Sequence, residues 1–292
     1  MLKKLWREKR EGWLFISIAL VLFLFFSLYP IIDSLILSFY TSRGIVYKFN
    51  GLGNIKRLFD DQMFYISLKN TMIYLIIQVP IMLVLAIFLA TLLNSTKLKF
   101  KSFFRTCIFL PCVTSLVAYS VLFKMIFAEK GLVNNILMKI GGFQTGIPWL
   151  TDPFWAKVTI ILALLWRWTG YNMIFYLAGM QNIDNSVYEA AEIDGATKMQ
   201  QFFRITIPLL RPIILLTTIM STNGTLQLFD EAMNITAGGP GNATMTISQY
   251  IYNLSFVYTP NFGYAATVSY AIVFMVAILA FIQFKVVGDK ND

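Results

Sequence analysis

Six stretches of this chain stay apolar for about 20 residues, the length at which a helix rising about 1.5 Å per residue spans the hydrocarbon of a bilayer. They lie near residues 14–39, 71–93, 107–127, 158–180, 209–229 and 265–285. Backbone inside lipid must satisfy its own N–H and C=O groups, so runs of this length predict helices. The expected fold class is all-α, a polytopic membrane protein with six transmembrane helices. The first run follows the charged WREKR in the manner of a signal peptide. No small-x-small cleavage site comes after it, however, and its hydrophobicity continues to Tyr40, so a retained anchor is expected.

Composition then removes whole classes of function. Of the 292 residues, 57% are hydrophobic and 13% charged, and histidine is absent. That absence excludes zinc-protease helices and Ser-His-Asp triads, so enzymatic chemistry is not expected. Cys107 and Cys112 are five positions apart in one apolar run and face different ways on a helix, which suggests neither a disulfide framework nor a metal site. No GxxxxGKS or GxxxxGKT occurs, so the chain does not bind ATP by a P-loop.

The formal net charge of +9 is distributed over loops instead of forming one face, which argues for topology and anionic-lipid contact rather than nucleic-acid binding. Residues 1–12 hold five Lys and Arg, KLKFKSFFR four, and 181–211 three. The positive-inside rule places these loops in the cytoplasm. Both termini should then be cytoplasmic, with 1–12 a short N-terminal segment and 13–292 the membrane domain. Between 41 and 70 the opposite side carries five basic residues, whereas the last outer loop, 230–264, has none and holds Asp230 and Glu231. Asp33 and Lys124 lie near the outer ends of their runs, where their heads can reach water.

One polar segment stands out between the fourth and fifth runs. Ser186-Val-Tyr-Glu189 fits a capping box that would start a helix, and Gly195 can adopt φ > 0 to close it. Thr197-Lys-Met-Gln200 fits a second capping box, and Pro208 and Pro212 mark the entry to the fifth run. Two short helices at an angle, near 186–205, are expected beneath the membrane. A solvated connector is the plain alternative.

In the fourth run, Trp168, Tyr171 and Phe175 recur at helical spacing as an aromatic stripe. In the fifth, Thr218, Ser221, Thr222 and Thr225 share a face, and Asn223, Gly224 and Gln227 interrupt the apolar run, which suits helix unwinding around a polar cavity. Aromatic platforms beside hydroxyls are what a neutral carbohydrate requires. The same residue types also pack helices together, so both readings stand. Arg167, an intramembrane charge, is a candidate anion receptor for a uronate or sugar phosphate.

The segment Glu189-Ala-Ala-Glu-Ile-Asp-Gly195 with Ile205-Thr-Ile-Pro208 resembles the EAA signature of membrane subunits of binding-protein-dependent ABC importers. FNGLGNIKRLF at 49–59 and the glycine-rich FDEAMNITAGGPGNATMTISQYIY at 229–252 are similar to outer segments of the sugar permeases in that family. The order resembles the larger membrane partner of the maltose importer, without its extra N-terminal spans and large periplasmic insert. The resemblance implies that Glu189, Ala190, Ala191, Asp194 and Gly195 couple to a cytoplasmic ATPase, the alanines allowing close approach and Glu189 pairing with a base. It also implies that Trp168, Tyr171, Ser221 and Thr225 occupy positions similar to sugar-contacting ones, with Arg167 and Asn223 as further candidates. The implied partners are a second homologous permease subunit, two copies of an ATPase holding ATP and Mg, and an extracytoplasmic sugar-binding protein, assembled in a bacterial cytoplasmic membrane. This chain itself would hold no cofactor and no metal. An ion-gradient-driven secondary transporter, with the elbow as a gate, is the alternative; a membrane enzyme ranks third for want of clustered catalytic groups.

Overall fold

The computed structural model describes residues 13, 15–44, 46–95, 98–141 and 145–288. The N-terminal segment 1–12 lies outside the described residues. Helix α1 (Phe15–Leu37) leads into a β-hairpin of β1 (Tyr40–Arg43) and β2 (Val46–Phe49), then α2 (Gly53–Asp60) and α3 (Gln62–Asn94). Next come α4 (Lys101–Val113), α5 (Leu116–Ile126), α6 (Leu132–Gly141) and α7 (Pro153–Gln181). The chain continues through α8 (Asn185–Ile193), α9 (Lys198–Leu209), α10 (Arg211–Leu226), α11 (Ile247–Tyr252) and α12 (Phe262–Gly288). The protein is all-α apart from the hairpin. Helices α1, α3, α7 and α12 are each long and apolar enough to cross a membrane, and the bent pairs α4–α5 and α9–α10 bring the number to six if each is one span.

One of these bends interrupts a run expected to be continuous, whereas the other falls at the entry to the fifth run marked by Pro208 and Pro212. Helices α4 and α5 meet at 99° and α9 and α10 at 65°. Pro111 lies in the last turn of α4, and Thr114 and Ser115 take extended ψ values of 151° and 134°, so the third apolar run is two half-helices rather than one. An apolar count cannot see this break because two small polar residues, Thr114 and Ser115, barely lower the apolarity of the run, and Pro111 is its one local signal.

The chain forms two compact units, the first being residues up to Asp61 with Ile251–Ala271. There Asn54 ties the hairpin to α2, its Nδ2 donating to the carbonyls of Ser38 and Tyr40, each at 2.8 Å. The Arg57 guanidinium lies 3.9 Å from the centre of the Tyr264 ring. Along α1, large side chains such as Phe15 and Phe26 are exposed, as a lipid-facing helix requires.

The second unit, Gln62–Tyr250 with residues from Ile272 onward, holds the candidate site. Its centre is α3 against α7, where Ala86 and Ala90 meet Met173, Tyr176, Leu177 and Met180. Lipid supplies no hydrophobic drive for one helix to leave it for another, so small residues that permit close van der Waals contact decide the pairing. The Tyr176 hydroxyl and Thr217 Oγ1, 2.6 Å apart, add a buried hydrogen bond from α7 to α10. At one end of α7, buried Asn134 uses both halves of its amide: Nδ2 donates to the carbonyls of Glu129 and Ile147, and Oδ1 accepts from the Ile147 amide and the Trp149 indole. Those bonds hold the loop before α7 beneath an aromatic cluster of Phe123, Phe127 and Trp149.

Candidate functional site

Where α3, α7 and α10 converge they line a half-open cavity of about 300 Å³. Trp168 and Tyr171 reach it from α7 and Ser221 and Thr225 from α10, so four of the six residues expected to bind ligand line one space. The aromatic stripe exists as a run of edge-to-face rings, Trp168 to Tyr171 at 6.0 Å and Tyr171 to Phe175 at 5.1 Å between centroids, although Phe175 lies outside the lining.

Two amide side chains of the lining are not among those the sequence points to. Gln78 on α3 accepts at Oε1 from Thr225 Oγ1 at 3.2 Å, and its Nε2 donates to the Met82 thioether at 3.1 Å. Asn172 on α7 donates from Nδ2 to the same sulfur at 3.5 Å and to the Trp168 carbonyl at 3.0 Å. Thioether sulfur is a weak acceptor. The signal that would have found them is a carboxamide inside each apolar run, Gln78 in the second and Asn172 beside the stripe in the fourth. The cavity thus offers ring faces and edges, hydroxyls and amide N–H donors, a set suited to a neutral polyhydroxyl ligand.

Arg167 and Asn223 do not belong to this lining. Arg167 is buried and turned to the break between α4 and α5, where Nη1 donates to the carbonyls of Pro111 and Thr114 at 3.3 and 2.9 Å and Nη2 to that of Cys112 at 3.2 Å. On α7 it falls one position before Trp168, about 100° around the helix, so it faces another neighbour. Asn223 is exposed and accepts at Oδ1 from Gln227 Nε2 at 2.8 Å. Nor does α10 unwind at Asn223-Gly224. It continues to Leu226 and breaks at Gln227, the third of the interrupting residues and one that lines the cavity, with non-helical backbone through Phe229. Past that break the chain re-enters the protein: Asp230 and Glu231 line the cavity, and Glu231 Oε1 accepts from the buried Tyr119 hydroxyl at 2.5 Å. The sequence places these two acids in an outer loop because nothing in their spacing shows that the segment folds back.

The polar segment between α7 and α10 is an elbow of α8 and α9. Its start differs from the Ser186–Glu189 box: Asp184 is the N-cap and accepts the Ser186 amide at 3.0 Å. That bond, with the Ser186 hydroxyl, holds the Asp184 carboxyl below its ordinary range. Asp184 wins because an aspartate two residues earlier caps equally well and lets the helix begin sooner. Glu189 is left exposed, and among the described residues its carboxylate has no partner. The Thr197–Gln200 capping box is present, with the Thr197 amide donating to Gln200 Oε1 at 2.8 Å. Between the helices Gly195 takes φ +78°, and its amide donates to the Glu192 carbonyl at 3.0 Å. An ion pair between Lys198 and Glu192 spans the turn, and the Lys198 ammonium keeps the Glu192 carboxyl below its ordinary range. Ala190 is exposed, Ala191 half-buried and Asp194 exposed, while Ile193, Met199 and Phe203 show apolar side chains to solvent at 86%, 66% and 61% exposure.

A polytopic all-α membrane protein with a polar internal cavity and an elbow whose apolar tip is uncovered has the architecture of a transporter subunit, not of an enzyme. The chain belongs to the family described as binding-protein-dependent transport system inner membrane component, whose profile matches residues 71–287. It is 59% identical over 283 residues to the lactose transport system permease protein LacF of Rhizobium radiobacter, covering 96% of this chain and 95% of that one. It is 35% identical to the arabinooligosaccharides transport system permease protein AraP of Bacillus subtilis, covering 87% and 82%. Its fold matches a chain in the crystal structure of a bacterial ABC transporter involved in the import of the acidic polysaccharide alginate, with a TM-score of 0.85 at 24% identity over 99% and 100% of the two chains.

Proposed function

We propose that this chain forms half of the pathway of an ABC importer for a neutral disaccharide or short oligosaccharide of the kind named for its relatives lactose permease and arabinooligosaccharide permease. The observation that carries this is the cavity, whose lining brings Trp168 and Tyr171 together with Ser221 and Thr225 and the amides of Gln78 and Asn172. Flat rings suit the C–H faces of a pyranose, and the hydroxyls and amides suit its OH groups. Arg167 offers no cation to the cavity, since its Nη groups are spent on backbone carbonyls. One chain supplies one wall, so a second, homologous permease subunit completes the pathway, and an extracytoplasmic binding protein delivers the sugar.

Energy enters at the elbow. Its exposed Ile193, Met199 and Phe203 form an apolar tip that suits a cleft in a cytoplasmic ATPase subunit, with Ala190 and Ala191 allowing close approach and Glu189 free to meet a base. Asp194 and Gly195 set the turn between the two helices. Two ATPase copies, binding ATP and Mg, close and pull the elbows, and the helices open to the other side. The basic loops place the elbow and both termini in the cytoplasm.

The test is affinity purification of a tagged chain from its native membrane in mild detergent, with mass spectrometry of what accompanies it, followed by sugar uptake in proteoliposomes. A second permease subunit, a Walker-type ATPase and ATP-dependent uptake of a neutral disaccharide are expected. A chain that purifies alone and transports without ATP would refute the proposal.

A further inference from the structure

The transport reading gives Arg167 no ligand, yet a guanidinium buried in the middle of an apolar helix must be compensated. Among the described residues no carboxylate forms an ion pair with it, and the buried Glu231 carboxylate attracts it only through space. Its compensation is backbone: Nη1 and Nη2 reach the carbonyls of Pro111, Cys112 and Thr114 at the end of α4, with Thr114 Oγ1 a further acceptor at 3.4 Å. A helix end inside a membrane leaves carbonyls without donors and carries the negative end of the helix dipole, so a cation there answers both needs. Three carbonyls diverging around a 99° break call for two nitrogens in one rigid plane, which arginine has and lysine lacks.

The same guanidinium extends the connection further. Its centre is 4.8 Å from the ring of Tyr119 in the first turn of α5 and 5.3 Å from that of Trp168. The Tyr119 hydroxyl holds Glu231 at the cavity wall. Beside this, a Cβ on Gly170 would lie 2.0 Å from the Ile108 carbonyl oxygen, so α4 is seated directly on α7 next to the fork.

We propose that Arg167 is a positioning residue. It fixes the angle of the broken third span on α7 and, through the Tyr119 and Trp168 rings, holds one wall of the cavity in place without touching the sugar. The expected effect on uptake rests on the transport reading; the local effect at the break does not.

Cys112, whose carbonyl Arg167 engages, reports that local effect. The experiment uses the complete transporter in proteoliposomes on a Cys107→Ser background, comparing Arg167→Gln, Arg167→Lys and Tyr119→Phe. It tracks N-ethylmaleimide modification of the Cys112 peptide by mass spectrometry together with the half-saturation and maximal rate of sugar uptake. Arg167→Lys, which keeps the positive charge beside Cys112 but loses the planar fork, should raise the Cys112 rate several-fold, and both Arg167 variants should raise half-saturation more than they lower the maximal rate. Tyr119→Phe breaks only the later link, so half-saturation should rise with Cys112 unchanged. Cys112 modified at the parent rate in Arg167→Lys overturns the proposal, whether or not Arg167→Gln assembles. Changed Cys112 rates in a protein whose parent moves no sugar would count against the transport reading and leave the positioning role standing.

Discussion

Gly195 isolates backbone strain from packing. Its φ is +78°, and a Cβ built there meets no atom within 4 Å, so a substitution changes the turn without creating a clash. Ordinary L-residues lose about 1–2 kcal/mol in the left-handed region, asparagine tolerates it, and β-branched residues fare worst. A loss of about 1–2 kcal/mol lowers the ratio of native to non-native turn about 5- to 30-fold. If the angle between α8 and α9 is what engages the ATPase, sugar-stimulated ATP hydrolysis should fall in that order. Gly195→Asn should stay near the parent, Gly195→Ala fall by up to about fivefold and Gly195→Val by up to about 30-fold. The assay is stimulated against basal ATPase activity in proteoliposomes, with equal assembly of all variants checked by size-exclusion chromatography. Valine performing as well as asparagine would show that the turn's conformation does not limit coupling.

Other perturbations separate the remaining parts of the structure. Trp168→Ala combined with Tyr171→Ala should raise the half-saturation for uptake or alter sugar preference, and unchanged kinetics would reject the stripe as a sugar platform. Gln78→Leu removes the acceptor of Thr225 and a cavity amide, and should weaken sugar binding about tenfold or more, as the loss of a buried hydrogen-bonded pair costs about 1–3 kcal/mol; titration of the assembled transporter checks it. Asn134→Ala strands the Trp149 indole, the Ile147 amide and the Glu129 carbonyl, so the detergent-solubilised chain should lose several degrees of thermal stability in a tryptophan-fluorescence melt. Because the Lys198 ammonium lowers the folded Glu192 carboxyl, the pair's contribution to the elbow is fully present above the ordinary glutamate range and is lost as pH falls through the lowered value. Hydrogen exchange of the Glu192–Lys198 turn should therefore be flat around neutrality and rise, relative to the intrinsic rate, only in acid, and Lys198→Met should abolish that dependence.

The spans are legible in the sequence because a bilayer demands length and apolarity, both visible in one dimension. The elbow is legible through Gly195 and the Thr197–Gln200 box, whose chemistry is local. Its start is not, because Asp184 and Ser186 are both good caps, and the choice depends on where α7 ends at Gln181. The bend at Thr114 is hidden because what stabilises it, Arg167, lies 53 residues away. Gln78 is hidden for the same reason: its hydroxyl partner is 147 residues distant. Trp168, Tyr171, Ser221 and Thr225 lie on helical stripes that periodicity makes visible. Arg167 shows the limit of that method, since a charge within a run marks a need for compensation without saying whether ligand or backbone meets it.

Met82 gives the cavity an unequal inventory of partners. Two amide donors, from Gln78 and Asn172, point at one soft sulfur that holds neither firmly. A hydroxyl arriving at these amides displaces little, and on leaving it returns them to a partner that was always there. A passage, unlike a receptor, must release what it receives, and ready-made stand-ins of this kind flatten the energetic step at both ends of a sugar's stay.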